Sequence, residues 1–283
     1  MLKTKPRNNR HRRPASVLAT LRQARKAGAP ARAGVRTGTL VASYNVHKCV
    51  GTDKRCDPAR VAAVIGEIGA DIIALQEADQ RFGGRAGLLD LLRLERESGL
   101  VPVPVLGTSK GRGWHGNVLL IRDGTPGDVH QITLPGVEPR GALVVDLDLD
   151  SGPLCIVAAH LGLLRRSRAQ QAEAILAAVA ARSDRPTLLL GDLNEWRLGA
   201  RSSLLHFDPA FGPLHAGLPS FPSRFPLFAL DRIMGKPHSL IAGIEVHATP
   251  LARVASDHLP LKAWIDLDDA GFGVPAAEAG MAA

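Results

Sequence analysis

The sequence predicts an α/β protein in which mixed β-sheets are covered by helices. Short apolar runs, each ending in polar side chains, recur between residues 38 and 267. Some successive runs are separated by an amphipathic helical stretch and others only by a short turn. Strands joined by helices can run parallel, whereas strands joined by tight turns run antiparallel, so both kinds of connection argue against a pure βαβ repeat. With 283 residues the chain is long enough for one large domain of this kind, and no internal repeat is found.

Residues 1–37 hold 11 of the 35 Lys/Arg and no acid, which leaves 24 basic against 27 acidic residues in the remainder, a net of −3. The net charge of +8 therefore belongs to an arm on a slightly acidic body. The arm is rich in Arg, Pro and Ala and reads as disordered. Ser16 to Lys26 has some character of a basic helix for an anionic surface, but a solvated arm is favoured. Such an arm suits nucleic acid and anionic lipid equally. No stretch of 18 apolar residues is present, and the run Ala15 to Ala19 is short and broken by Ser16, so neither a transmembrane helix nor a secretory signal is expected. The expectation is a cytoplasmic protein whose contact with a membrane, if it makes one, is peripheral and made through residues 1–37. Cys49, Cys56 and Cys155 are too few for a disulfide framework. Cys49 and Cys56 could pair across one short loop, but free thiols are favoured.

The body, residues 38–267, opens with a strand, Leu40 to His47. Asp57-Pro58 supplies a helix cap and a first-turn proline, Val61, Val64, Ile65 and Ile68 follow at helical spacing, and Gly69 ends that helix. Asp71 to Glu77 is a strand, Leu88 to Glu97 a helix, and Asn117 to Arg122 a short strand. Leu143 to Leu149 alternates apolar and acidic residues, as a strand with one wet face does. Leu154 to Ala159 is a buried strand ending at His160, and Arg165 to Arg182 is the strongest helix. Leu188 to Leu190 continues into Gly191-Asp192-Leu193-Asn194. Five prolines in residues 207–228 predict a long functional loop over the site. Strands near Asp231–Met234, Ile241–His247 and Leu261–Leu267 complete the body, and residues 268–283 read as a flexible tail.

Five of the apolar strands end in a restricted set of polar residues: Asn45 with His47, Glu77, His160, Asp192 with Asn194, and Asp257-His258. Strand ends along one sheet edge are where α/β proteins build sites. A carboxylate there can hold or deprotonate water, and an amide can donate to a phosphate oxygen without repelling it. Singly, each has an ordinary structural use: a turn residue, an exposed strand end or a hydrogen-bonded core histidine. Together they point to phosphate chemistry.

With those residues in view, the chain resembles the endonuclease/exonuclease/phosphatase superfamily. The resemblance rests on Ser43-Tyr44-Asn45-Val46, Leu75-Gln76-Glu77, Gly116-Asn117, His160, Gly191-Asp192-Leu193-Asn194, Leu230-Asp231-Arg232-Ile233 and Ser256-Asp257-His258-Leu259-Pro260, in family order. It implies a four-layer α/β sandwich of two packed mixed sheets flanked by helices. It also implies a divalent metal, Mg²⁺ or Mn²⁺, held by Glu77, Asn45 and Asp257, which is an all-oxygen set suited to a hard cation. Asp192 is implied to activate water, Asn194 and His160 to bind phosphoryl oxygens, and His258, oriented by Asp231, to stabilise developing charge. Arg140 and Asn117 are candidate phosphate contacts, and an exposed turn arginine remains an equal alternative for Arg140. The His160-Leu161-Gly162-Leu163 run is similar to members acting on phospholipids, and no acid stands near Gly116-Asn117 to pair with His160. Trp114 and Trp196 could stack on a base or simply pack. The expected function is metal-dependent hydrolysis of a phosphoester, with a lean towards a phospholipid or other small substrate. The alternative is a DNA or RNA nuclease using the basic arm. A catalytically dead binding module is third, and the intact Glu77, Asp192, Asn194, Asp257 and His258 argue against it.

Overall fold

Eleven strands form two sheets in the computed structural model, which describes residues 38–80, 86–107, 113–182, 184–197, 199–212 and 217–267. The arm 1–37, expected to be a solvated arm, and the tail 268–283 lie outside the described residues.

β1 (Thr39–Asn45) and β2 (Ile72–Gln76) pair in parallel, with α1 (Pro58–Ile68) between them. Asp57 caps α1, its carboxylate accepting the Arg60 amide at 2.9 Å, and Gly69 closes the helix in the left-handed conformation at φ 64°. α2 (Leu91–Ser98) begins later than the Leu88 start expected for it. The reason is Asp90, whose carboxylate accepts the Arg93 amide and sets the helix start, while Leu88 and Leu89 pack on the core from the approach. β3 (Val101–Pro102) and β4 (Val118–Ile121) follow. β5 (Thr125–Leu134), β6 (Arg140–Leu149) and β7 (Gly152–His160) form an antiparallel meander. β5 is an addition to the expected strands. It is an edge strand of mostly exposed or half-buried residues, with a register shift between Pro126 and Val129, so no apolar run announces it.

α3 (Arg165–Ala180) joins β7 to β8 (Thr187–Asp192), which lies parallel to it. α4 (Asp208–Phe211) and the 3₁₀ turn Ser203–Phe207 correct the long-loop expectation for residues 207–228. Phe207 and Phe211 are buried edge to face in the core, so the segment starts as packed structure. β9 (Asp231–Lys236), β10 (Ile241–Val246), α5 (Ala252–Ala255) and β11 (Leu261–Ile265) complete the body. The sheet orders are β10-β11-β1-β2-β4-β3 and β5-β6-β7-β8-β9.

Period-two alternation sorts the strand residues into three cores. Val41, Ile72, Leu154, Ala158, Leu190 and Ile233 help to fill the space between the sheets. Tyr44, Ile73 and Leu75 face α1 and α2 on one outside, and Val157, Ala159 and Leu189 face α3 and α4 on the other. This is a four-layer sandwich, helices–sheet–sheet–helices. Leu190 is fully buried between the sheets, and its truncation to alanine would cost about 2–5 kcal/mol. Cys49, Cys56 and Cys155 are free thiols. No helix among the described residues is long and apolar enough to cross a membrane.

Candidate active site

The inter-sheet core ends in polar residues at one edge. Ala158, Leu190 and Ile233 are in register across β7, β8 and β9, and two residues further on the same face come His160, Asp192 and Asp231, again in register. In the facing sheet, Asn45 ends β1 on the inward row of Val41. The fold thus aligns residues that are far apart in sequence simply by continuing strand alternation past the apolar rows. Gly191 permits the close packing at this end. Its φ is +151°, and a Cβ there would stand 1.8 Å from the Ala159 carbonyl oxygen.

Asp192 is the centre of the cluster. It accepts the Asn45 amide Nδ2 at 2.9 Å on Oδ2 and the Asn194 backbone amide at 3.0 Å on Oδ1. His160 Nε2 is 3.5 Å and His258 Nε2 3.8 Å from Oδ2. The other ring nitrogen of His258, Nδ1, is 2.9 Å from Asp231 Oδ2, which also accepts the Ser220 hydroxyl. Burial pushes Asp192 up to about 6, with the His258 charge opposing and Asp231 reinforcing. For His258, burial alone would lower the pKa. The carboxylates of Asp231 and Asp192 outweigh it and raise it to about 10, which favours the imidazolium between the two acids. Phe221 packs its ring 4.9 Å from the His258 ring.

A second group lies beside the first. Glu77 follows Gln76, the β2 partner of Asn45. Strict alternation would turn Glu77 away from the inter-sheet face, and its left-handed backbone, φ 53°, breaks that alternation. Burial alone would raise the Glu77 pKa. Lys48, which donates to its carboxylate, together with the charges of His47 and Arg140, outweighs burial and holds Glu77 below its ordinary value. Glu77, Asp79, Lys48, His115, Arg140 and His160 line a cavity of about 20 Å³. Arg140 is fixed by Glu138, with Nη2–Oε2 at 2.8 Å, and its Nη1 stands 2.7 Å from His160 Nε2. It is not an exposed turn arginine. Asp257 Oδ1 lies 3.5 Å from His47 Nδ1, and the His47 amide donates to Asn45 Oδ1 at 3.0 Å. Of the three expected cation ligands, Glu77 lines the small cavity, while Asn45 Oδ1 accepts the His47 amide and Asp257 faces the His47 ring.

Asn194, also left-handed at φ 51°, donates one amide hydrogen to the Leu161 carbonyl at 3.0 Å. Asn117 is placed differently from the expectation of a phosphate contact. It is fully buried, and its Nδ2 donates to the carbonyls of Trp114 at 3.1 Å and Gly141 at 2.9 Å, so both amide hydrogens brace loops. The Trp114 indole donates to the Ile132 carbonyl, a packing role, whereas Trp196 is exposed.

A small hard cation fits this donor set. Glu77 and Asp79 supply carboxylates to a cavity of single-ion size, and, apart from that cavity, Asp231 Oδ1 beside His258 is a buried carboxylate oxygen without a hydrogen-bond partner. Asp192, Asp231 and His258, all buried, also lie close enough together for a metal. A roomier, mostly apolar cavity of about 400 Å³ lies along β9 and β10, and of the cluster only Asp231 touches it.

Sequence reasoning missed Lys48, Glu138, Ser220 and a buried pair beneath the site. Arg168 Nη2 meets Glu195 Oε2 at 3.0 Å, both fully buried. Arg168 also donates to the carbonyls of Gly162 and Leu163 and to the Ser203 hydroxyl, tying together the loops after β7 and β8. Glu195 stands beside Asn194, and that adjacency was the available signal.

The profile of the endonuclease/exonuclease/phosphatase family matches residues 42–258, a span that contains every strand-end residue just described. The chain belongs to the endonuclease/exonuclease/phosphatase family. The family is one of phosphoester hydrolases. A solved endonuclease/exonuclease/phosphatase from Beutenbergia cavernae is 22% identical with a TM-score of 0.62, covering 82% of this chain and 72% of that one. The Bacteroides thetaiotaomicron mannosyl-6-phosphatase is 15% identical with a TM-score of 0.59, covering 80% and 98%. The human nocturnin catalytic domain, solved with bound sulfate, is 20% identical with a TM-score of 0.56, covering 82% and 95%. At these identities the likeness speaks for the fold. No curated protein matches the chain.

Proposed function

We propose that residues 38–267 form a metal-dependent phosphoester hydrolase, with the arm 1–37 and the tail 268–283 as appendages, acting on a phospholipid or another small phosphoester. The observation that carries this is the convergence of Asn45, His160, Asn194 and His258 on the buried carboxylate of Asp192. Held near 6, that carboxylate is mostly ionised at neutral pH and still basic enough to take a proton from an attacking water. Asn45 and the Asn194 amide fix its two oxygens, so the proton acceptor is aimed before substrate arrives.

Arg140 and His160, with the remaining hydrogen of the Asn194 amide, form the wall that receives phosphoryl oxygens. The His258 imidazolium, positioned by Asp231, donates to charge developing in the transition state. A divalent cation, Mg²⁺ or Mn²⁺, held by Glu77 with Asn45 and Asp257 would neutralise charge on the phosphoryl group. Lys48, now on Glu77 Oε2, would share that carboxylate with it.

A nuclease is the second reading, favoured by the 11 basic residues of the arm. Purified protein is incubated with bis-p-nitrophenyl phosphate, a phosphomonoester, a phospholipid dispersion and plasmid DNA, with Mg²⁺, Mn²⁺ or EDTA. EDTA-sensitive turnover of an ester other than DNA is expected. DNA cleavage alone, lost steeply with salt and on removal of residues 1–37, would favour the nuclease. No turnover of any substrate by folded protein would count against hydrolysis.

A further inference from the structure

Exposed apolar side chains collect around the mouth of the site. Among the described residues eight large apolar side chains are exposed, and five of them, Val137, Leu163, Leu164, Trp196 and Phe225, stand on loops at the strand ends that carry the cluster. Val137 precedes Arg140 at the start of β6, Leu163 and Leu164 follow His160 at the end of β7, and Trp196 follows Asp192 at the end of β8. Phe225 lies on the loop between Phe221, which packs on His258, and Phe228. In that loop the Ser223 amide donates to the Asp257 carbonyl at 2.7 Å.

The loops are held as one rim. The Leu163 amide donates to Glu138 at 2.9 Å, Arg168 joins the Leu163 carbonyl to Glu195, and the Trp196 ring is 6.0 Å from that of Phe228. Arginines flank the tips. Arg165 and Arg166 follow Leu164 and are exposed, the Arg197 guanidinium lies 4.6 Å over the Trp196 ring, and Arg224 precedes Phe225. Glu138, an acid on the Val137 loop, is neutralised by its pairing with Arg140.

We propose that this rim docks the mouth of the site onto an anionic lipid bilayer. A pocket serving a freely diffusing ester gains nothing from aliphatic tips in water, and apolar groups with interleaved arginines match the boundary between acyl chains and anionic headgroups. Nucleic acid is disfavoured as the occupant. Single strands are gripped by stacking, and although Trp196 and Phe225 carry a π face, the other three rim side chains, Val137, Leu163 and Leu164, have none to offer. The inference takes from the phosphoester proposal only the location of the mouth. Binding is read without turnover, so either can fail alone.

The full chain is sedimented with unilamellar vesicles of equal phosphatidylcholine and phosphatidylglycerol, and with phosphatidylcholine alone, at physiological salt. Preferential binding to the anionic vesicles is expected. The triple variant Leu163→Ser, Leu164→Ser, Phe225→Ser, with an unchanged unfolding midpoint, is expected to bind about tenfold more weakly or worse. Trp196 emission, taken as the difference between wild type and Trp196→Phe, is expected to shift to the blue on the vesicles. Wild type left in the supernatant, a triple variant that binds like wild type through the arm, or a loss seen with single-stranded DNA and not with vesicles would each overturn the proposal.

Discussion

Asp192 and Glu195 stand three residues apart, the first ending β8 and the second just past it, and both carboxylates are buried. Burial pushes both pKa values up. Glu195 nevertheless ends at about 2, because the Ser203 amide and hydroxyl, the Arg197 amide and the Arg168 guanidinium all donate to it. Asp192 ends at about 6, because it has two amide donors, a second acid close by, and a cation that it shares with that acid. Glu195 is satisfied and serves as framework. Asp192 is left part-satisfied among titratable neighbours, which is the condition a reacting group needs. Under the proposed function the same side-chain chemistry does opposite work within four residues, and the donors around it decide which.

The sharpest way to break that comparison is to make the same neutral substitution at both places. Asp192→Asn should lower turnover about 10³-fold, as loss of a positioned base does. Its thermal midpoint should stay level or rise, because the raised folded pKa means that the ionised carboxylate is unfavourable in the native state. Near-full activity would remove Asp192 from the chemistry. Glu195→Gln should instead destabilise by about 3 kcal/mol, since it leaves Arg168 buried without a counter-charge, and its residual folded fraction should keep most of its turnover. An unchanged unfolding midpoint would show that the pair is not framework. A smaller effect sharpens the comparison with a third carboxylate, Glu77, which Lys48 holds. Glu77→Gln should raise the Mg²⁺ concentration for half-maximal rate about tenfold. An unaltered metal dependence would take Glu77 out of the cation site.

The same contrast explains what could be read in advance. Asp192, Asn194 and His160 could be singled out because each lies at the end of an apolar strand, whereas Asp231, which begins β9, came only through the family resemblance; strand register then sets His160, Asp192 and Asp231 side by side whatever the loops do. The pairing of His258 with Asp231 was legible through the family resemblance, and the structure has it at 2.9 Å. Glu195 and Arg168 were not legible. They are 27 residues apart, and each looks like a surface charge in its own segment, one in a polar turn and the other in the first turn of a helix. Only packing α3 against the loop after β8 removes both from water. Asn117 failed for a related reason, since a lone Asn beside a strand gives no sign that two carbonyls will claim its amide. β5 was lost because an edge strand need not be apolar on either face.

The finest test is the pH dependence of stability, where the two carboxylates should carry opposite signs. Glu195 has a folded pKa near 2, below the value of about 4.3 in an unfolded chain. Its contribution is therefore complete above about pH 4.3 and is lost as pH falls towards 2. The gap between wild type and Glu195→Gln in urea midpoint should narrow across that window. Asp192 has a folded pKa near 6, above its unfolded value of about 3.9. It favours the folded state only when protonated, so the advantage of Asp192→Asn should be present above about pH 6 and fade as pH falls from about 6 to about 4. Each slope is limited to one proton, about 1.4 kcal/mol per pH unit. Urea midpoints of the three proteins between about pH 3 and pH 7 resolve it. Two gaps that close over the same window would mean that the donors around each carboxylate do not set its behaviour, and the distinction between framework and reacting group would have to be abandoned.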